Sequence, residues 1–356
     1  MCLGGGLVLK KKYLKVVINT LFLIAVFCVT AYIVFKDQEI EAVVDSIHRA
    51  KNSYILIGVI LTLLYICSES FIIHYLLRKV KHGIGVIRCI IYSFVGFFFS
   101  AVTPSATGGQ PVQIVWMKRD GVSVAVSTLV LMIVTAAYKT VLIIMCALAA
   151  LFEWHFISEY ASSIWFLIII GIVCNVSFVL FLVIAIFRKS WLTSMVGKTV
   201  FWLGKHHIIK NRERWLRKAW KSLGKFNKSA NYIKKNKSVL VNVLLVTVFQ
   251  RLCLFSVTFV VYRAFGLHGK SAFEIIALQT IIALAVDSLP LPGAMGASES
   301  SFLIIFLTIF GEEFILPGML LTRGITYYLM LIVSAVITFV SYLWASRKKK
   351  LESGGL

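Results

Sequence analysis

Acidic side chains are scarce: 356 residues hold 15 Asp and Glu against 37 Lys and Arg, and charged residues of both signs make up only 15%. Proline is scarcer still, with five in all, so little prevents long stretches from running as unbroken helix. The seven cysteines, at 2, 28, 67, 89, 146, 174 and 253, form no CxxC and no Cys/His cluster. That excludes a legible disulfide framework and a zinc site, so no metal is expected. The SATGG stretch at 105–109 is too short for a phosphate-binding loop and lacks its lysine. GAMGASES at 293–300 holds no nucleophile elbow. Enzyme chemistry has no visible seat, and no cofactor is expected.

What is present is apolar. The chain is 59% hydrophobic with a mean hydropathy of +0.89, whereas soluble domains are about half apolar and about a quarter charged. Several apolar runs exceed the roughly 20 residues that a spanning helix needs. The short alternating segments of a membrane β-barrel are missing. The fold class is therefore an all-α polytopic membrane protein.

Spans are expected at 14–35, 53–77, 122–151, 162–187, 238–262 and 317–344. The first follows Lys10, Lys11, Lys12 and Lys15 like a signal peptide, but no A-x-A-like site comes after it, so an uncleaved span is expected. Two further apolar regions, 89–117 and 272–311, are interrupted. The first breaks between Thr103 and Pro111 and the second between Asp287 and Glu299. Together the breaks hold every proline but Pro317: Pro104, Pro111, Pro290 and Pro292.

Charge placement decides how these regions run. If each dips into the bilayer and returns, one face collects Lys10–Lys15, the basic residues of 78–88 and 118–119, the 188–237 segment and Arg347–Lys350, which is most of the 37 cations. The other face then holds Asp37, Glu39, Glu41, Asp45, Glu153, Glu159, Glu312 and Glu313. The positive-inside rule favours that solution, with both termini cytoplasmic in a bacterial inner membrane. The 188–237 segment mixes its cations with Trp191, Trp202, Trp215 and Trp220. It is read as a basic amphipathic helix on the cytoplasmic leaflet, not as a nucleic-acid surface.

The resulting topology is six full spans plus two re-entrant helical hairpins, eight hydrophobic regions in all. Span, span, hairpin, span describes 14–151 and again 162–344, with opposite starting sides. This is an inverted-topology repeat of the kind common among transporters. The second span of each half carries a central charge, Glu69 and Arg251. The span after each hairpin carries another, Lys139 and Arg323.

Broken helices free backbone groups that lipid cannot satisfy, so each break should face protein or a water-filled cavity. The new half-helix should present bare N–H groups to an anion there. Thr107, Gly108, Gly109 and Gln110 in the first break, and Gly293, Gly296 and Ser298 in the second, are the candidate contacts. The cations Lys139, Arg251 and Arg323 would hold a phosphate, with Glu69, Asp287 and Glu299 as their partners or as proton carriers; the bland alternative is three structural ion pairs. Arg323, six residues from the outer end of its span, has the option of snorkelling.

At these breaks the chain resembles the transmembrane domain of the lysylphosphatidylglycerol synthase/flippase family, known from bacterial multiple peptide resistance factors, in a stand-alone form. The resemblance covers roughly 14–344. It rests on Pro104 with Gly108 and Gly109, and on Pro290, Pro292, Gly293, Gly296 and Glu299 followed by an apolar helix and Gly311. It implies a flippase for aminoacyl-phosphatidylglycerol. The family's cytoplasmic synthase domain has no counterpart after the last span, so aminoacyl transfer is not expected.

The sequence reading is thus a lipid flippase whose partners are membrane lipids with anionic headgroups. Aminoacyl-phosphatidylglycerol, a glycolipid and a polyprenyl phosphate all suit a basic midplane pocket. The alternatives are a phosphatidylglycerol lysyltransferase, or a membrane partner that recruits a cytoplasmic lipid synthase through 188–237.

Overall fold

A computed structural model describes residues 45, 47–103, 106–206 and 212–353. The expected span at 14–35 and Pro104 lie outside the described residues. Everything described is helix or connecting turn, with no strand. Five helices are long and apolar enough to cross a membrane: Asn52–Lys79, Val124–Phe152, Ser162–Phe187, Lys237–Ala264 and Pro292–Trp344. The first four coincide with expected spans, whereas the fifth runs from the second break through the expected span at 317–344; the chain is a multi-pass membrane protein.

In chain order the helices are α1 (Asn52–Lys79), α2 (Val86–Ala101), α3 (Gly109–Arg119), α4 (Val124–Phe152), α5 (Trp154–Tyr160) and α6 (Trp165–Phe187). There follow α7 (Lys189–Lys205), α8 (Arg212–Lys235), α9 (Lys237–Ala264), α10 (Ala272–Val286), α11 (Ala297–Arg323) and α12 (Leu329–Ser353). A short π-helical stretch, Gly324–Tyr328, joins the last two.

The centre of the bundle is the antiparallel pair α1 and α9, which pack along their whole length. Three bonds keep them in register. The Lys51 N–H donates to the Ala264 carbonyl at 3.0 Å, Gln250 Nε2 to the Tyr65 carbonyl at 3.2 Å, and Asn242 Nδ2 to the Tyr75 hydroxyl at 3.0 Å. Such side-chain amides are well placed here, because lipid offers a polar group no alternative partner.

The first interrupted region folds back on itself. Helices α2 and α3 form an antiparallel pair whose open ends meet, where Arg88 Nη1 reaches Asp120 Oδ1 at 2.5 Å and the Tyr92 hydroxyl donates to the same carboxylate. At 16 and 11 residues, these helices are about 24 and 16 Å long, less than the roughly 30 Å of a hydrocarbon core. Helix α10, at 15 residues, is equally short. Its partner α11 is helical on either side of Gly311, where φ 73 and ψ 165 interrupt the run. That is where the sequence reading ends the second region. The helical segment that follows starts earlier than the expected Leu316–Pro317 boundary, because Pro317 is accommodated inside it. Arg323 is accordingly further from the start of its helical segment than the six residues of the sequence reading.

The 188–237 segment is two helices, α7 and α8, not one. Helix α8 buries Leu223, Phe226, Ala230 and Ile233, spaced three to four apart, in a cluster with Leu129, Val130 and Ile133 of α4. Its apolar stripe is therefore satisfied by the bundle. Trp202, Trp215 and Trp220 stay exposed.

Candidate functional site

A cavity of about 270 Å³ lies between the two breaks. Tyr65 of α1, Ala106 of the first break, Asp287, Gly293 and Ser298 around the second, and Arg323 are among its walls. Most of the remaining lining is apolar, supplied by residues such as Phe97, Phe255, Ile282 and Phe302. An apolar pocket with a few convergent polar groups is the usual form of a ligand site.

The second break is built by backbone that few residues can adopt. Gly293 has φ 57, and a Cβ there would come within 2.4 Å of the Tyr327 ring. Gly296 has φ 81 and starts α11, where its N–H donates to Glu299 Oε2 at 2.8 Å. Glu299 Oε1 in turn accepts from Arg323 Nε at 2.8 Å, and Arg323 Nη2 donates to the Gly293 carbonyl at 3.0 Å. One carboxylate, 2% exposed, thus caps a helix and anchors a guanidinium. Pro292 is buried and Pro290 exposed.

The first break is tied by hydroxyls. The Gly108 N–H donates to Thr103 Oγ1 at 2.9 Å, and Gln110 Nε2 to Thr135 Oγ1 of α4 at 2.5 Å. Gly109 lets α3 approach α2 closely, since a Cβ there would meet Ser100 Oγ and the Gly96 carbonyl. Thr107 is exposed at the tip. Pro111 falls in the first turn of α3, where a missing N–H does no harm. The expectation of bare N–H groups at the half-helix starts is thus corrected at Gly108 and Gly296: each is capped by a side chain of its own break, the usual remedy for orphan donors.

Of the three intramembrane cations, two are paired. Lys139 Nζ lies 2.5 Å from Asp287 Oδ2 and 2.8 Å from Asn175 Oδ1, and the Tyr138 hydroxyl donates to Asp287 Oδ1 at 2.7 Å. Arg323 is held by Glu299. Arg251 makes neither an ion pair nor a hydrogen bond among the described residues, and its Nε is buried without a partner. Its guanidinium rests on two rings, 4.5 Å from the Tyr138 centroid and 5.2 Å from that of Tyr65. Glu69 does not pair with Arg251; it accepts from Gln113 Nε2 at 3.1 Å.

Tyr327 belongs to the same assembly. Its hydroxyl donates to the Ala101 carbonyl at the end of α2, at 3.0 Å, so the π-helical stretch beside the second break also reaches the first. Sequence reasoning missed Tyr65, Tyr138, Asn175, Gln113 and Tyr327. Asn175 carried a signal, as a lone amide in the otherwise apolar helix α6; the tyrosines did not stand out among thirteen.

Residues 14–334 match the family described as "Lysylphosphatidylglycerol synthase TM region". A membrane protein of Archaeoglobus fulgidus, named only as a UPF0104 membrane protein, is 21% identical over 310 residues, covering 85% of this chain and 91% of that one.

Proposed function

The chain belongs to the lysylphosphatidylglycerol synthase transmembrane-region family, and from that premise we propose that it moves a phospholipid, such as aminoacyl-phosphatidylglycerol or another lipid held by its phosphate, across the cytoplasmic membrane. The observation that carries this reading is Arg251. A cation inside a bilayer costs roughly 2.5–3.5 kcal/mol or more, and natural bundles neutralise it with a carboxylate. Lys139 and Arg323 follow that rule; Arg251 rests on the faces of Tyr65 and Tyr138, with its Nε buried and unpartnered among the described residues. A guanidinium held this way is poised for a phosphate, which it grips bidentately. Tyr65, one of the two rings that hold it, lines the cavity between the breaks.

The contacts around the breaks support two inverted halves that rock about this site. The first break is tied to the span that follows it by Gln110 and Thr135, and the second to its own by Glu299 and Arg323. Each break is also tied across. Lys139 reaches Asp287 from the first half, and Tyr327 reaches Ala101 from the second. By these contacts the counterpart of Lys139 is Tyr327, and that of Arg323 is Thr135. In this reading α2–α3 and α10–α11 are re-entrant hairpins from opposite faces, and α7–α8 lies on the cytoplasmic side.

The test is translocation of fluorescent phosphatidylglycerol in proteoliposomes. Arg251→Gln should lower the rate about ten- to a hundredfold, the equivalent of one lost charge-assisted contact of about 1.5–3 kcal/mol. Its melting temperature should stay near that of the parent, since Arg251 gives up no hydrogen bond among the described residues and a buried charge is removed with it. If Arg251→Gln and Glu299→Gln both transport at the parental rate, the site is elsewhere.

A further inference from the structure

Hydroxyls inside this bundle mostly turn back to their own helix. Thr62, Ser70, Thr247, Thr280 and Thr326 each donate to the carbonyl four residues before, a common habit of helical hydroxyls in apolar surroundings. Thr258 and Thr322 do not, and both line the cavity between the breaks. Thr258 Oγ1 donates instead to Gln279 Oε1 of α10 at 3.1 Å. That bond occupies the oxygen of the amide and leaves its N–H donors to the cavity, which Gln279 also lines. Thr322 is 4% exposed, and its hydroxyl is buried with no partner among the described residues. Ser93, Ser123, Ser334 and Thr338 are orphaned in the same way, but none of them lines the cavity. Ser298, in the first turn of α11, adds a further hydroxyl to the wall.

The charged groups of the same wall are already engaged. Asp287 accepts from Lys139 and Tyr138, and Arg323 donates to Glu299 and to the Gly293 carbonyl. The two tyrosines of the wall carry cations of this chain, Tyr65 that of Arg251 and Tyr327 that of Arg323. An ammonium entering here would meet no unengaged carboxylate on the wall and would lie near Arg323 in apolar surroundings. What the wall offers is neutral. Gln279 presents amide N–H donors, and Thr322 and Ser298 present hydroxyls that both donate and accept.

From these residues we propose that the cavity is a subsite for a neutral polyol, the glycerol or sugar that a lipid carries on its phosphate, and that Gln279 and Thr322 set this specificity. The inference rests on the transport reading above, since it places the phosphate at Arg251 and the polyol beside it. Tyr65 joins the two places: its ring holds Arg251, and the residue lines the cavity. A polyol hydroxyl accepts from the Gln279 amide and exchanges a hydrogen bond with the orphaned Thr322 hydroxyl. An ammonium has no lone pair for the Gln279 donors, and an alkyl group satisfies neither residue. A site built to hydrogen-bond a hydroxyl rejects the analogue that lacks it, because its own polar groups are then left unpaired.

The experiment measures binding of four lipids to the full chain in phosphatidylcholine nanodiscs: phosphatidylglycerol, phosphatidylmethanol, phosphatidylinositol and lysyl-phosphatidylglycerol. The first two carry the same phosphate charge and differ in the glycerol hydroxyls, so the ratio of their affinities reads the neutral wall. The parent should prefer phosphatidylglycerol to phosphatidylmethanol by about tenfold, as one or two neutral hydrogen bonds provide. It should bind the lysylated lipid more weakly than phosphatidylglycerol. Thr322→Val and Gln279→Leu should each reduce the preference by about threefold or more. A merely structural role would weaken both lipids by one factor and leave the ratio in place. Thr322→Val keeps the shape and removes an orphaned hydroxyl, so it should melt no lower than the parent, and a lost preference there is not unfolding. Phosphatidylinositol bound at least as tightly as phosphatidylglycerol assigns the subsite to a sugar-like ring, and weaker binding assigns it to glycerol. Equal binding of phosphatidylglycerol and phosphatidylmethanol, a preference for the lysylated lipid, or a ratio that survives both variants overturns the inference and leaves transport standing. No binding of any of the four overturns both.

Discussion

Asp287→Leu should destabilise the folded protein by about 3–5 kcal/mol, the usual loss when one partner of a buried ion pair is removed. The penalty comes from what remains. The Lys139 ammonium, with a side chain 10% exposed, would keep only the Asn175 oxygen, and the Tyr138 hydroxyl would lose its acceptor. The Lys139→Met/Asp287→Leu double variant should recover most of that loss, because a pair of apolar side chains avoids desolvating either charge. Denaturant titration in mixed micelles, followed by tryptophan fluorescence, separates the two. Equal losses in the single and double variants would show that the pair contributes through packing and not through charge. The contact joins α4 to α10, elements far apart in the chain, so the single variant should also loosen the cavity wall that Asp287 forms.

Gly293→Ala is the second large effect, and its origin is steric. At φ 57 an L-residue pays about 1–2 kcal/mol for the left-handed conformation. The added Cβ also meets the Tyr327 ring at 2.3–2.4 Å, an overlap of the kind that costs about 1–3 kcal/mol. The expected total is about 2–5 kcal/mol. In a Tyr327→Ala background the Gly293→Ala change should cost only the backbone strain, about 1–2 kcal/mol, so the two changes should be less than additive in the double variant. It should nevertheless lose transport, since Tyr327 also joins the π-helical stretch to the first break through Ala101. A Gly293→Ala protein with parental stability and transport would mean that the second break rearranges freely.

Much of this architecture was legible because its signals are local. Spans at 53–77, 122–151, 162–187 and 238–262 follow from hydrophobic length, and the structure moves their ends by only a few residues. The breaks follow from where proline and glycine gather, and Gly311 closes the second region where the apolar pattern does. The 188–237 segment shows the limit of a local signal. Periodicity reveals a stripe such as Leu223, Phe226, Ala230 and Ile233 without revealing whether lipid or α4 covers it.

The candidate site divides the same way. Glu69, Lys139, Arg251, Asp287, Glu299 and Arg323 stood out in sequence because charge in an apolar run is expensive wherever it falls. Their partners did not. Lys139 finds Asp287 rather than a neighbour in its own half, and Arg251 finds two tyrosine faces rather than Glu69. Hydrophobic length and the chemistry of proline act over a few residues, so the sequence by itself determined the membrane class, the spans at 53–77, 122–151, 162–187 and 238–262, and the position of the breaks. Which charge is neutralised and which is left free depends on which helices lie side by side. That was decided only when α1 packed on α9, and α4 on α10, in three dimensions.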